Sequence, residues 1–110
     1  MARMRCAILL APGAVRELHA LPAYHRAQVR DAIERHLRHE PTKLSKSRIK
    51  RLGGLSRPQY RLRVDDTRVF YDVTDTAVEI LAIVSKAQAG AWLEEHGEPD
   101  PGGPAGETEG

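Results

Sequence analysis

With a single cysteine in 110 residues, the chain can form no disulfide within itself. Cys6 lies inside the apolar run Cys6-Ala-Ile-Leu-Leu10 with no histidine partner near it in sequence, which suits a small buried hydrophobe better than a nucleophile. No run of about 18 apolar residues is present and no secretory leader is recognisable, so a cytoplasmic protein with no membrane association is expected. Metal-ligating clusters are missing as well. Asp65-Asp66 fits a turn better than a cation site, and nothing suggests a cofactor. Acidic residues are scarce in one region: from Lys43 to Arg68 there are nine basic residues and only two acidic ones. From Glu94 onward the balance inverts, with six acidic residues and no Lys or Arg.

That asymmetry is hidden by a net charge of only +2. A basic block of this density is the electrostatic footprint that nucleic-acid phosphates attract. Its members outside the hairpin described below are Lys43, Lys46, Arg48, Lys50, Arg51 and Arg57, and all but Lys43 are candidate RNA contacts, with Trp92 as a further one. The length supports one domain, and 41% hydrophobic residues suffice for a core. Residues 1–96 are expected to form it. Residues 97–110, rich in Pro, Gly and Glu, are expected to be a disordered acidic tail.

Along the chain, Arg5 to Leu10 reads as a strand that leads into a helix with Pro12 in its first turn. Val15, Leu18 and Leu21 supply an apolar stripe; after Leu21-Pro22, the spacing of Val29, Ile33 and Leu37 predicts a second helix from about Ala23 to His39. The pair makes a helical hairpin. Ile49 to Leu52 is a short segment stopped by Gly53-Gly54. Strands are predicted near Gln59 to Val64 and Thr67 to Thr74, then at Val78 to Val84. The last is apolar at nearly every position, as in a strand covered on both faces. A short helix from Lys86 to His96 brings Trp92 and Leu93 to the second face. The fold class is α+β, in the order β-α-α-β-β-β-α.

The hairpin carries the chemistry. With its turn at Asp65-Asp66, Leu62 faces Val69, Tyr60 faces Tyr71 and Arg63 faces Arg68; a slip of one residue would set arginines against Leu and Val. Like charges directly opposite each other destabilise a sheet, and arginine does not escape by deprotonating. Arg61 points to the same side as Arg63. Three arginines on one pleated face form a candidate phosphate site. The plainer alternative is a solvated face neutralised by Asp65, Asp66 or Asp72.

The ordered set of these features resembles the RelE/ParE superfamily of type II toxin–antitoxin toxins. The resemblance rests on Ala14-Val-Arg-Glu-Leu18 with Leu21-Pro22, Ile49-Lys-Arg-Leu-Gly53, Tyr60-Arg-Leu-Arg-Val64, Thr67-Arg-Val-Phe-Tyr71 and the apolar strand Val78 to Val84. It covers roughly residues 3 to 96. It implies a small RelE-like domain with a mostly antiparallel twisted sheet, the helical hairpin on one face and a short C-terminal helix. It also implies a cognate antitoxin as partner, expected at a sheet edge or in the groove near the last helix. RelE-like members cleave mRNA on the ribosome, and the resemblance carries their phosphate-contacting positions onto Arg61, Arg63 and Arg68, with Lys86 standing where the family has an arginine. Where those members place a terminal aromatic hydroxyl or imidazole, this chain reads Trp92-Leu93. His19, His25, His36 and His39 are read as surface residues, and His96 sits at the end of the last helix. The functions implied are an mRNA endoribonuclease, a ParE-like inhibitor of DNA gyrase without hydrolytic activity, or a weakened relative that only binds antitoxin.

Overall fold

A computed structural model describes residues 5–100. Five strands form the main sheet: β1 (Ala7–Leu10), β2 (Ile49–Arg51), β4 (Tyr60–Val64), β5 (Thr67–Val73) and β6 (Ala77–Ser85). Their spatial order is β1-β6-β5-β4-β2. Only β1 and β6 run parallel; every other pairing in the sheet is antiparallel. Helices α1 (Pro12–Ala20) and α2 (Ala23–Leu37) follow β1, and α3 (Lys86–His96) follows β6. A small second sheet pairs β3 (Leu55–Arg57) with β7 (Glu98–Pro99).

The helical hairpin forms where the prolines permit it. Pro12 opens α1, where its missing N–H costs nothing, and Pro22 caps α2. In α1 the buried residues are Ala14 and Leu18, four apart, and Val15 is 38% exposed. The expected stripe through Val15 is therefore turned by one residue, with Ala14 against the sheet in its place. In α2, Val29, Ile33 and Leu37 are buried as their spacing predicts. These residues meet Ile49, Leu62, Val64, Val69, Tyr71, Val78, Ile80 and Ile83 in one core cluster. α2 ends at Leu37, two residues before the expected His39. Arg38 turns away there to donate to the Cys6 carbonyl (3.0 Å) and to pair with Glu34, whose carboxyl that hydrogen bond holds below its usual range.

Two expectations need correction. Ile49–Arg51 is not an isolated segment but the outer strand of the sheet, paired with β4 through Ile49↔Leu62, Lys50↔Arg61 and Arg51↔Tyr60. The proposed tail does not begin at residue 97 either. Gly97 follows the Leu93 carbonyl so closely that a Cβ there would lie 2.5 Å from it. The chain then returns as β7, with Leu55↔Pro99 and Arg57↔Glu98. Composition hides this because two-residue pairing needs no apolar pattern; residues 101–110 lie outside the described residues. The apolar strand β6 is interior, as expected, although β5 holds the middle of the sheet.

At the centre of β5, Tyr71 is fully buried, stacked on Tyr60 at 5.5 Å, and its hydroxyl donates to the Pro41 carbonyl at 2.7 Å. That bond ties the loop after α2 to the core. Burial, aided by Tyr60, pushes the Tyr71 phenol well above its ordinary range. A phenol raised in the folded state contributes stability that is fully present below the unfolded value of about 10 and is lost as pH rises beyond it. Absorbance titration near the phenolate band is expected to show Tyr71 ionising only as the protein unfolds, and Tyr71→Phe is expected to remove that late step. Because the buried Pro41 carbonyl loses its donor, the same variant should lower stability by about 1–3 kcal/mol in urea denaturation.

Candidate phosphate-binding face

The β4–β5 register is the one the apolar pattern demands: Tyr60↔Tyr71, Leu62↔Val69 and Arg63↔Arg68. Leu62, Val69 and Tyr71 point into the helical side of the sheet, so the intervening residues Arg61, Arg63, Arg68 and Phe70 share the opposite face. Lys50 joins them, as the cross-strand neighbour of Arg61 on β2. The Asp65-Asp66 turn is held in three ways. Asp65 adopts a positive φ of 51°, its carboxylate accepts from Gln28 of α2 (2.6 Å), and the Asp66 carbonyl accepts from the Lys86 N–H (2.6 Å). An Asp tolerates that backbone better than most residues.

The three arginines have different environments. Arg68 is only 8% exposed and its guanidinium curls back to donate to the Asp65 and Thr67 carbonyls, at 2.7 and 3.2 Å. Arg63 is exposed, and its backbone N–H bonds the Arg48 carbonyl at 2.8 Å. Arg61 is half-buried, with an Nε that is enclosed and has no acceptor. Burial, then Arg68, then Arg63 all work against its charge. Neither Asp65 nor Asp66 forms an ion pair with any of the three. Among the described residues, then, these arginines have no ion-paired carboxylate, a disposition suited to an external anion.

At its other end the same face is already neutralised. Arg57 reaches Asp72 at 3.2 Å and Glu79 at 3.5 Å, and Asp72 also accepts from the Gln59 N–H at 2.8 Å. Burial pushes the Asp72 carboxyl up, with Glu79 and Glu98 adding to it, while Gln59 and Arg57 oppose. Asp72 thus counters Arg57, not the hairpin arginines. Between the two ends, α3 lays Trp92 flat on Phe70 (5.2 Å between centroids, 10° between planes), and the His96 ring lies 5.0 Å from the indole.

Lys46, Arg48 and Lys50 are exposed on or beside the outer strand, where they border the arginines. The remaining candidates lie elsewhere. Arg51 alternates to the other side of β2, above the Tyr60 ring at 5.3 Å, and donates to the Gln59 carbonyl at 2.9 Å. Arg57 is engaged by Asp72 and Glu79, and Trp92 is stacked on Phe70 with His96 beside it, while both still line a shallow recess of about 250 Å³ with Pro58 and Leu81. Lys86 is exposed at the start of α3, beside the hairpin tip. The expected surface placement of the helical histidines holds for His19, His25 and His39, whereas His36 is half-buried. Proximity in sequence gave no sign that His25 shares a groove of about 460 Å³ with Arg63, Asp66, Thr67 and Ser85. The Gln28–Asp65 bond joins α2 to the hairpin tip beside that groove. Among the described residues no group of three or more His, Cys, Asp or Glu could hold a metal ion, and no helix is long and apolar enough to cross a membrane.

The fold has close counterparts among solved structures. A chain of the RelB–RelE antitoxin–toxin complex from Methanococcus jannaschii superposes with a TM-score of 0.59 at 20% identity, over 77% of this chain and 98% of that one. A chain of the RelBE2 toxin–antitoxin complex from Mycobacterium tuberculosis gives 0.59 at 26% identity, over 74% and 99%. A chain of the archaeal RelE–RelB complex from Pyrococcus horikoshii gives 0.58 at 27%, over 77% and 99%. No curated protein matches the chain in sequence. The family model described as the ParE toxin of the type II toxin–antitoxin system parDE matches residues 8–90, most of the described fold, and the chain therefore belongs to that toxin family.

Proposed function

We propose that this toxin acts on translated mRNA, as a ribosome-dependent endoribonuclease, and that its cognate antitoxin suppresses it. The observation that carries the reading is the uncompensated Arg61, Arg63, Arg68 cluster, in which burial and like charge both count against Arg61. Such an arrangement costs stability in the free protein and is relieved when a phosphate arrives. In the reaction, a ribose O2′ attacks the adjacent phosphorus, an O2′–P bond forms and the P–O5′ bond breaks. The 2′ proton must leave and the departing 5′ oxygen must gain one. Arg63 and Arg61 would hold the phosphate and stabilise charge developing on its oxygens, with Lys50 and Lys86 adding to the field. Arg68, turned toward the hairpin carbonyls, sets the potential more than it contacts substrate. Arginine is a poor proton carrier at neutral pH. His25, in the groove with Arg63, is of the type that can exchange protons there.

A second reading is gyrase inhibition without hydrolysis. Two observations favour it: the matching family model is that of ParE, and the β4 and β5 residues on the arginine face include no Tyr or His. The antitoxin, in either case, would meet exposed outer edges at β1 and at the basic β2. Steering by the basic block makes complex formation strongly salt-dependent.

Induced expression with primer extension on a translated reporter separates the readings. Codon-aligned cleavage with growth arrest, abolished in Arg63→Ala/Arg68→Ala, is expected; arrest with intact mRNA would transfer the case to gyrase. His25→Ala should reduce cleavage without weakening RNA binding. Relief of like charge gives an independent check on the phosphate site. Arg63→Gln is expected to raise stability by about 0.2–1 kcal/mol in thermal unfolding while lowering toxicity, and added phosphate should shrink that difference.

A further inference from the structure

A second cationic cavity lies around the sheet edge from the arginine face. It occupies about 230 Å³ between the last turn of α2, the loop that follows and the start of β2, and Arg35, His36, His39, Lys43 and Arg48 line it together with Glu40. Its shape is fixed by Ser45, whose hydroxyl accepts the N–H groups of both Arg48 and Ile49 at 3.0 Å. Arg35 meets Asp31 at 3.3 Å and Lys43 meets Glu40 at 3.8 Å, both between well-exposed side chains, and such pairs contribute little. Arg48 has no acidic partner among the described residues, and it also borders a smaller recess with Ser47, Arg63 and Asp65. Basic side chains therefore connect Arg63, by way of Arg48 at the outer strand, to the cavity, with Asp65 in the intervening recess and Glu40 at the cavity wall.

Of the two histidines that line this opening, His36 is half-buried and His39 exposed. From its own helix Arg35 and Asp31 face His36, and from the start of β2 Arg48 does. Glu40 and Lys43 approach from the loop. Burial and the two arginines hold its imidazole below the ordinary value, with only Asp31 opposing. An anion between His36 and Arg48 would reverse the sign of that interaction, so it would be bound more tightly by the protonated ring.

We propose that this cavity is a second phosphate subsite, which takes a backbone phosphate of the same RNA strand whose scissile phosphate lies on the hairpin arginines. The inference rests on the RNA reading above. Continuity through Arg48 favours one strand over a free small anion, because a single small domain commonly tracks a strand along a basic groove.

The test uses the full chain with an uncleavable 2′-O-methyl RNA of about 16 nucleotides, the upper range for one small domain, and a 2′-O-methyl dinucleotide. Affinity is measured by anisotropy across salt concentrations at about pH 6 and 8, which bracket histidine titration. Lys43→Ala is expected to weaken the long RNA several-fold and to lower the slope of log affinity against log salt by about 0.7, one single-strand phosphate contact, while leaving the dinucleotide unchanged. In His36→Gln the tighter binding at the lower pH should disappear. With the wild type, inorganic phosphate should raise the titration midpoint of the His36 ring proton in NMR, a readout that needs no variant to fold. An unmoved midpoint, or wild-type slope and pH dependence in the two variants, overturns the subsite. Arg63→Ala distinguishes the two levels of the argument: if it weakens both RNAs while Lys43→Ala and His36→Gln behave as wild type, only the subsite is wrong. If it weakens neither RNA, the RNA reading itself fails.

Discussion

The register between β4 and β5 is the constraint from which the rest follows. Leu62 against Val69 and Tyr60 against Tyr71 close the core under the helical hairpin, and the period-two alternation of a strand then leaves no choice for the residues between them. Arg63 must stand opposite Arg68, and Arg61 opposite Phe70. The helical side fixes the register through apolar burial worth about 1.5–3 kcal/mol for each large side chain. Like-charge pairing on the other side costs a fraction of that. The core wins, and the arginine cluster is its consequence.

The same sheet face is divided by charge. Acidic residues near the β5–β6 turn are occupied by Arg57, the middle is roofed by Trp92, and the end toward the Asp65-Asp66 turn is left positive. Because Asp72 is engaged by Gln59 and Arg57, it lies with the wrong partner to neutralise Arg63 or Arg61. A solvated face with internal ion pairs would have looked different. Here, the available carboxylates serve the turn and the opposite end of the sheet.

Much of this was legible in the sequence. Strand periodicity located β4, β5 and β6, the prolines located the helical hairpin, and the cross-strand identities fixed which arginines meet. Where reading failed, the signal was carried by other parts of the chain. Arg51 and Lys50 are adjacent in sequence and equally basic, yet one faces Tyr60 and the other Arg61, a difference decided by the pairing of a three-residue strand too short to announce itself. Arg57 looked like part of the basic block because Asp72 and Glu79, which hold it, are 15 and 22 residues away. β7 has no apolar pattern, and His25 meets Arg63's groove only through tertiary structure, with the Gln28–Asp65 bond beside it.

Trp92 is the only tryptophan in the chain. Stacked on Phe70 and in ring contact with His96, it sits where α3 closes over the sheet. Its emission therefore reports one event, the seating or lifting of the last helix, without interference from any other indole. The molecule contains its own optical gauge of how the last helix sits on Phe70.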